Sequence, residues 1–212
     1  AVAAVPLPDG RTLLATGSRD CTVRLWDPST SRQVGQPLTG HTNSVSAVAA
    51  VPLPDGRTLL ATGSRDCTVR LWDPSTSRQV GHPLTGHTNS VSAVAAVPLP
   101  DGRTLLATGS SDCTVRLWDP STGHPASEPL TGHTGWVTAI AAESLPDGRT
   151  LLATGSGDGT VRLWEPLSTG AIDLAVVGAS VSALTVIRAT STSPTGLAVA
   201  GAAGLLLLGL ER

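Results

Sequence analysis

The sequence predicts an all-β chain assembled from repeated four-stranded antiparallel units. Three observations carry this expectation: a strict internal period, turn signals about every 8 to 12 residues, and short runs rich in β-branched and aromatic residues. Trp26, Trp72, Trp118 and Trp164 recur every 46 residues, as do His41, His87 and His133. Residues 1–46 match residues 47–92 at every position but one, where Gln36 becomes His82. The third unit, 93–138, keeps the frame with several changes, and the fourth, 139–184, is looser. A degenerate fifth unit spans 185–212. There Gly201 falls one period after Gly155, but Leu210 stands where a Trp is expected and Gly204 where an Asp is expected.

A period of 46 lies at the edge of the range for four-stranded units, and helical repeats of about 40 to 47 residues compete at that length. Local sequence decides between them. In the second unit the first run is Ser44–Val51, with Val45, Ala47, Ala49 and Val51 alternating. Alternation of this kind is the signature of a strand. It ends at the turn Pro52–Gly56. The second run is Arg57–Ser64, followed by the turn residues Arg65, Asp66 and Cys67. The third run, Thr68–Asp73, is closed by Pro74, and a polar stretch then leads into the fourth, Val80–His87. Pro and Gly recur too often for a helix of useful length. A single such unit cannot bury both faces of its sheet, so neighbouring units must stack.

Composition narrows the rest. Hydrophobic residues make up 40%, but Phe, Tyr and Met are absent and the five Trp are the only aromatic side chains. Layers filled by Ala, Val and Leu must approach closely. All 14 basic residues are Arg, spread along the chain and balanced by 16 acids. That balance lacks the basic stripe of a nucleic-acid binder. The longest uncharged apolar stretch, Gly196–Leu210, is shorter than the roughly 20 residues of a spanning helix. No stretch reads as a secretory signal. The chain lacks a Met and opens inside a repeat, so the expectation is a segment of a longer protein.

The blocks GHTNSVSAV, LPDGRTLLATGSRDCTVRLWD and PLTGHT resemble the WD-repeat β-propellers, with the Gly-His and Trp-Asp dipeptides of that family. The resemblance is strong over residues 1 to about 178 and weak beyond. It implies propeller blades of four antiparallel strands. It also implies hydrogen-bonded tetrads: His41, Thr62, Asp66 and Trp72; His87, Thr108, Asp112 and Trp118; His133, Thr154, Asp158 and Trp164. The first unit keeps Thr16, Asp20 and Trp26, while its His position falls before Ala1. Such a set can form a donor–acceptor chain, because Trp only donates, Asp accepts, and His does both. A His near an Asp and a hydroxyl also fits a catalytic triad. Repetition in every unit favours a structural lock, and no catalytic residue is assigned.

Other residues read plainly. Cys21, Cys67 and Cys113 follow the turn Asp, with Gly159 in the fourth unit. Their spacing offers neither a disulfide nor a metal site, and free thiols fit a reducing, cytoplasmic setting. His82 and His124 are expected on exposed outer strands or loops. The stretch 155–160 is glycine-rich but lacks the Lys and helix of a phosphate loop. Residues 123–128 are expected to be solvated near the outer strand. The informative differences lie in two loops that open, in the family, on one face. Those positions hold Arg19, Arg65, Asn43, Asn89 and, uniquely, Trp136. An extra Trp near Arg residues has the composition of a binding hot spot.

The function expected is therefore a scaffold that binds proteins or peptides on its loop face, without catalysis, cofactor, metal, nucleic acid or membrane. Multivalent carbohydrate or small-ligand binding by repeated pockets is the alternative, and a propeller enzyme a more distant one. An incomplete ring would expose edges and faces that invite self-association.

Overall fold

The computed structural model describes residues 1–145, 147–167, 171–187, 196–201 and 204–209. Among them there are strands and turns but no helix. The first sheet runs in chain order through β1 (Val2–Pro6), β2 (Thr12–Gly17), β3 (Val23–Asp27) and β4 (Arg32–Leu38). The second follows as β5 (Val45–Pro52), β6 (Thr58–Ser64), β7 (Val69–Asp73) and β8 (Arg78–Leu84). The third has three strands, β9 (Val91–Pro98), β10 (Thr104–Ser110) and β11 (Val115–Trp118). The fourth contains β12 (Val137–Ser144), β13 (Thr150–Ser156), β14 (Thr160–Trp164) and β15 (Ala171–Val176). The fifth contains β16 (Val181–Ile187), β17 (Gly196–Gly201) and β18 (Gly204–Gly209). All pairings are antiparallel.

Turn chemistry explains the register. In each Pro-Asp-Gly turn the Asp accepts from the backbone two residues on, as Arg57 N does to Asp55 Oδ1 at 3.0 Å. Gly56 takes the left-handed φ of 84° that the tight reversal requires. The exposed Asp55–Arg57 ion pair at 2.8 Å adds little in water. Between β6 and β7 the chain makes a tight turn closed by Cys67 N donating to Ser64 O. Cys67 sits at φ 68°, and the fourth unit has Gly159 at that place, φ 79°.

The core lies between sheets rather than within them. Val5, Leu13, Ala15, Val23 and Leu25 of the first sheet form one cluster with Leu60 and Trp72 of the second. The same pattern joins the second sheet to Leu106 and Trp118, and the third to Leu152 and Trp164. Trp72, Trp118 and Trp164 therefore each plug the core of the sheet before them. The central strands β6, β10 and β13 are buried along almost their whole length, so they read as continuous small and apolar runs rather than alternating ones. Close approach is real: a Cβ built on Gly109 would stand 2.6 Å from Val137 of the next sheet.

A bulge in the first strand of the second, third, fourth and fifth sheets accompanies this stacking. The register shifts between Val45 and Ala47, leaving Ser46 outside the ladder. Its hydroxyl donates to Val91 O, in the next sheet, at 2.5 Å. Ser92 does the same to Val137 O at 2.6 Å, and Thr138 bonds Val181 O.

Three expectations change. A fourth strand fails to form in the third unit, where only isolated bridges join Val115 to Leu130 and Trp118 to Pro125. Pro125 replaces Gln33 and Gln79 of the earlier units, and Pro brings no N–H to a ladder. Nor is 123–128 simply solvated: Ala126 donates its N–H to Leu117 O at 2.8 Å and packs against the core. The fourth strands also begin earlier than expected, at Arg32 and Arg78, within the polar stretch. Gly204 opens β18 opposite Gly201, and Leu210 lies outside the described residues.

Candidate functional site

The loop that leaves each sheet lands on the next one. Gly40 to Ser44 connect β4 to β5, and they carry His41 into the second sheet. His41 Nε2 lies 2.9 Å from Thr62 Oγ1, and Nδ1 lies 2.8 Å from Asp66 Oδ2. Trp72 Nε1 donates to the same Thr62 Oγ1 at 2.9 Å. His87, Thr108, Asp112 and Trp118 repeat these contacts at 2.8, 2.8 and 2.9 Å. His133, Thr154, Asp158 and Trp164 do so at 2.8, 3.2 and 2.8 Å.

One proton arrangement satisfies every member. The indole N–H donates to the Thr oxygen, the Thr hydroxyl donates to Nε2, and Nδ1–H donates to the carboxylate. The imidazole is neutral in this chain. The carboxylate also accepts from Thr42 N at 2.9 Å, Thr68 N at 3.0 Å and Thr68 Oγ1 at 2.7 Å. Burial alone raises the carboxyl pKa, but these bonds outweigh it and hold Asp66 and Asp112 at about 2. Asp158 is also lowered. Burial pushes His41, His87 and His133 below the ordinary imidazole value, against the opposing pull of their Asp partners. Such a group is a locked network: each hydroxyl is already both donor and acceptor, and the same geometry recurs in three successive units.

Four segments of the chain, residues 1–27, 32–73, 78–119 and 125–165, match the family described as WD domain, G-beta repeat. The chain belongs to the WD40 repeat family. Two curated relatives are the nuclear distribution protein PAC1 of Gibberella zeae and that of Fusarium vanettenii. Each is 52% identical over 40 residues, which is 19% of this chain and 9% of the relative. The likeness thus extends over about one repeat.

The WD40 units place the loop residues together in pairs. Arg65 N donates to Ser44 O at 3.0 Å, Ser111 N to Ser90 O at 2.9 Å, and Gly157 N to Trp136 O at 2.8 Å. The turn between second and third strands therefore lies against the loop entering the first strand in the second, third and fourth sheets. Arg19, Arg65, Asn43 and Asn89 are exposed on these segments. Asn43 and Asn89 also have a local task, because each side-chain oxygen accepts from the next backbone N–H at 2.8 Å.

Trp136 stands apart. It is 63% exposed, whereas Ser44 and Ser90 occupy its place in the WD40 units before it. Its neighbour Gly135 explains the local path: a Cβ there would lie 2.6 Å from Asp158 N. The loop presses on the turn and displays the indole outward. His82 and His124 are exposed. Among the described residues no group of three or more His, Cys, Asp or Glu is arranged to hold a metal ion, and no helix is long and apolar enough to cross a membrane.

Some structural members escaped the sequence reading. Thr68, Thr114 and Thr160 complete the carboxylate shell at 2.7, 2.7 and 2.6 Å. Their signal was a Thr two places after every turn Asp. Arg70 carried no assignment from the sequence beyond its place in the third run. Its guanidinium lies under Gly40, where a Cβ would stand 2.8 Å from Nη1, and it donates to Gln79 Oε1 at 2.5 Å.

Proposed function

We propose that this chain is a protein-interaction scaffold that takes protein or peptide partners on its loop face, with Arg19, Arg65, Asn43, Asn89 and Trp136 among the contacts. The observation that carries the reading is Trp136: a large apolar side chain, 63% exposed, on a loop tied to the turn at Gly157. An exposed Trp on a loop held by backbone bonding is a residue type in which interface hot spots are enriched. The WD40 repeats support the reading at the level of the family. Blades of a propeller are the architecture proposed for the five sheets. The cytoplasm is the compartment proposed, which the free thiols of Cys21, Cys67 and Cys113 support.

The test is a displayed peptide library selected on the folded chain, followed by titration of the recovered peptides against a variant with Arg19, Arg65 and Trp136 all changed to Ala. Weakened binding with an unchanged melting curve supports the reading. Peptides that bind the variant as tightly as the parent chain overturn it.

A further inference from the structure

In the first three units the turn after the third strand is tied by its own side chains. Asp27 Oδ1 accepts from Ser29 N at 2.8 Å and from Ser29 Oγ at 2.6 Å. Asp73 with Ser75 and Asp119 with Ser121 repeat the arrangement. The fourth unit breaks it, because Glu165 and Leu167 stand at those two places. Leu167 brings no hydroxyl. Glu165, one methylene longer than Asp, accepts instead from Arg149 Nη1 at 3.2 Å. Leu167 is 48% exposed and holds a left-handed φ of 74°, a conformation that costs a residue with a side chain.

These changes border a cavity of about 350 Å³ between the third and fourth sheets, within the size range of small-ligand sites. Leu99, Pro100 and Leu167 supply its apolar lining, and Asp101, Arg149 and Glu165 its charges. Thr150, a buried member of the lining, donates its hydroxyl to Pro98 O and so ties the two sheets together there. The cavity lies at the end of the sheets away from the loop face. Thr150 pairs with Ser144, at the far end of β12 from Val137, the residue that follows Trp136. The eight residues of β12 separate the two ends by roughly 25 Å.

Charge decides what fits. The lining holds two carboxylates and one guanidinium. Arg103, paired with Asp101 at 2.8 Å, and Asp147, paired with Arg149 at 2.9 Å, cancel each other. One negative charge is left over, and Asp119 adds a further carboxylate near Arg103. A wholly apolar guest would cover these charges without answering them, and an anion would be repelled. A cation on a long aliphatic stem satisfies both parts of the lining: its methylenes lie along the apolar residues while its head stays at the carboxylates.

We infer that this cavity is a second binding site, independent of the loop face, which takes a lysine or arginine side chain of a peptide partner, its stem against Leu99, Pro100 and Leu167 and its charge against Asp101 and Glu165.

The full chain, labelled with nitrogen-15, is titrated with the capped tripeptides acetyl-Ala-Lys-Ala-amide and acetyl-Ala-Arg-Ala-amide. The norleucine counterpart keeps the stem and lacks the charge. Backbone signals of Leu99, Asp101, Thr150 and Leu167 are followed together with the indole N–H of Trp136. The expected result is a saturable shift of the backbone signals with a basic peptide, none with norleucine at the same concentrations, and no movement of Trp136. Glu165→Gln and Asp101→Asn each weaken the binding about threefold, and Leu167→Ser weakens it as well. Trp136→Ala leaves it unchanged. Norleucine binding as tightly as lysine and arginine overturns the inference. So does parental affinity in both Glu165→Gln and Asp101→Asn, a shift of Trp136 in place of the cavity signals, or no saturable shift with either basic peptide.

Discussion

His41 and Asp66 meet at 2.8 Å although they belong to different sheets, His41 arriving on the loop that leaves the first and Asp66 standing in a turn of the second. The bond therefore ties neighbouring units together as well as closing a network within one. Its repetition at His87 and His133 makes the stack a linked array, in which damage at one junction is felt on both sides.

His87→Ala removes the imidazole between Thr108 and Asp112 and leaves both buried partners short of a bond. The expected loss is about 2 kcal/mol of unfolding free energy, read from urea denaturation. The double variant His87→Ala with Asp112→Ala loses less than the sum of the two single changes, because the residues act as one network. Strict additivity contradicts the coupling.

Acid weakens the junctions in two stages. The folded-state pKa values of His41, His87 and His133 lie below the free value of 6.5, with burial the largest cause. Their contribution is complete above pH 6.5 and falls as the pH drops through the folded pKa, because the unfolded chain takes up protons that the folded chain resists. Asp66 and Asp112 add a second loss between 3.8 and about 2. Unfolding midpoints measured down a pH series from neutral fall accordingly, and His87→Ala has the shallower slope in the upper stage. A midpoint that rises on acidification contradicts this assignment of charge.

Gly109→Ala tests how close the sheets come. The added methyl meets Val137 Cγ1 at 2.6 Å and Ile140 Cδ1 at 3.1 Å, so the next sheet must shift. Overpacking of this kind costs about 1 to 3 kcal/mol. A variant as stable as the parent chain shows that the junction yields.

Most of the strand plan was legible because the turns announce themselves. Asp55 and Gly56 close one reversal and Asp66 with Cys67 another, so β5, β6 and β7 fall within about a residue of where the runs place them. The missing strand of the third unit also had a visible sign in Pro125, whose consequence depends on whether tertiary packing keeps the neighbours paired. The tetrad members came from the Gly-His and Trp-Asp resemblance rather than from periodicity. What sequence alone did not resolve is the difference between Trp26, half-buried, and Trp72, 3% exposed. Both sit in identical segments, and only the presence of a sheet in front of one of them buries it. Arg70 was missed for a related reason: its place beneath Gly40 exists only once the loop of the preceding sheet has docked.

Those two tryptophan environments give the most direct measurement. Trp118→Ala empties a buried site, 2% exposed, and lowers the unfolding free energy by about 3 to 5 kcal/mol. Trp26→Ala, on the open face of the first sheet, costs a small fraction of that in the same urea titration. This is the result expected if each Trp is held by the sheet before it. Equal losses from the two substitutions contradict the stacking of the units on which everything above depends.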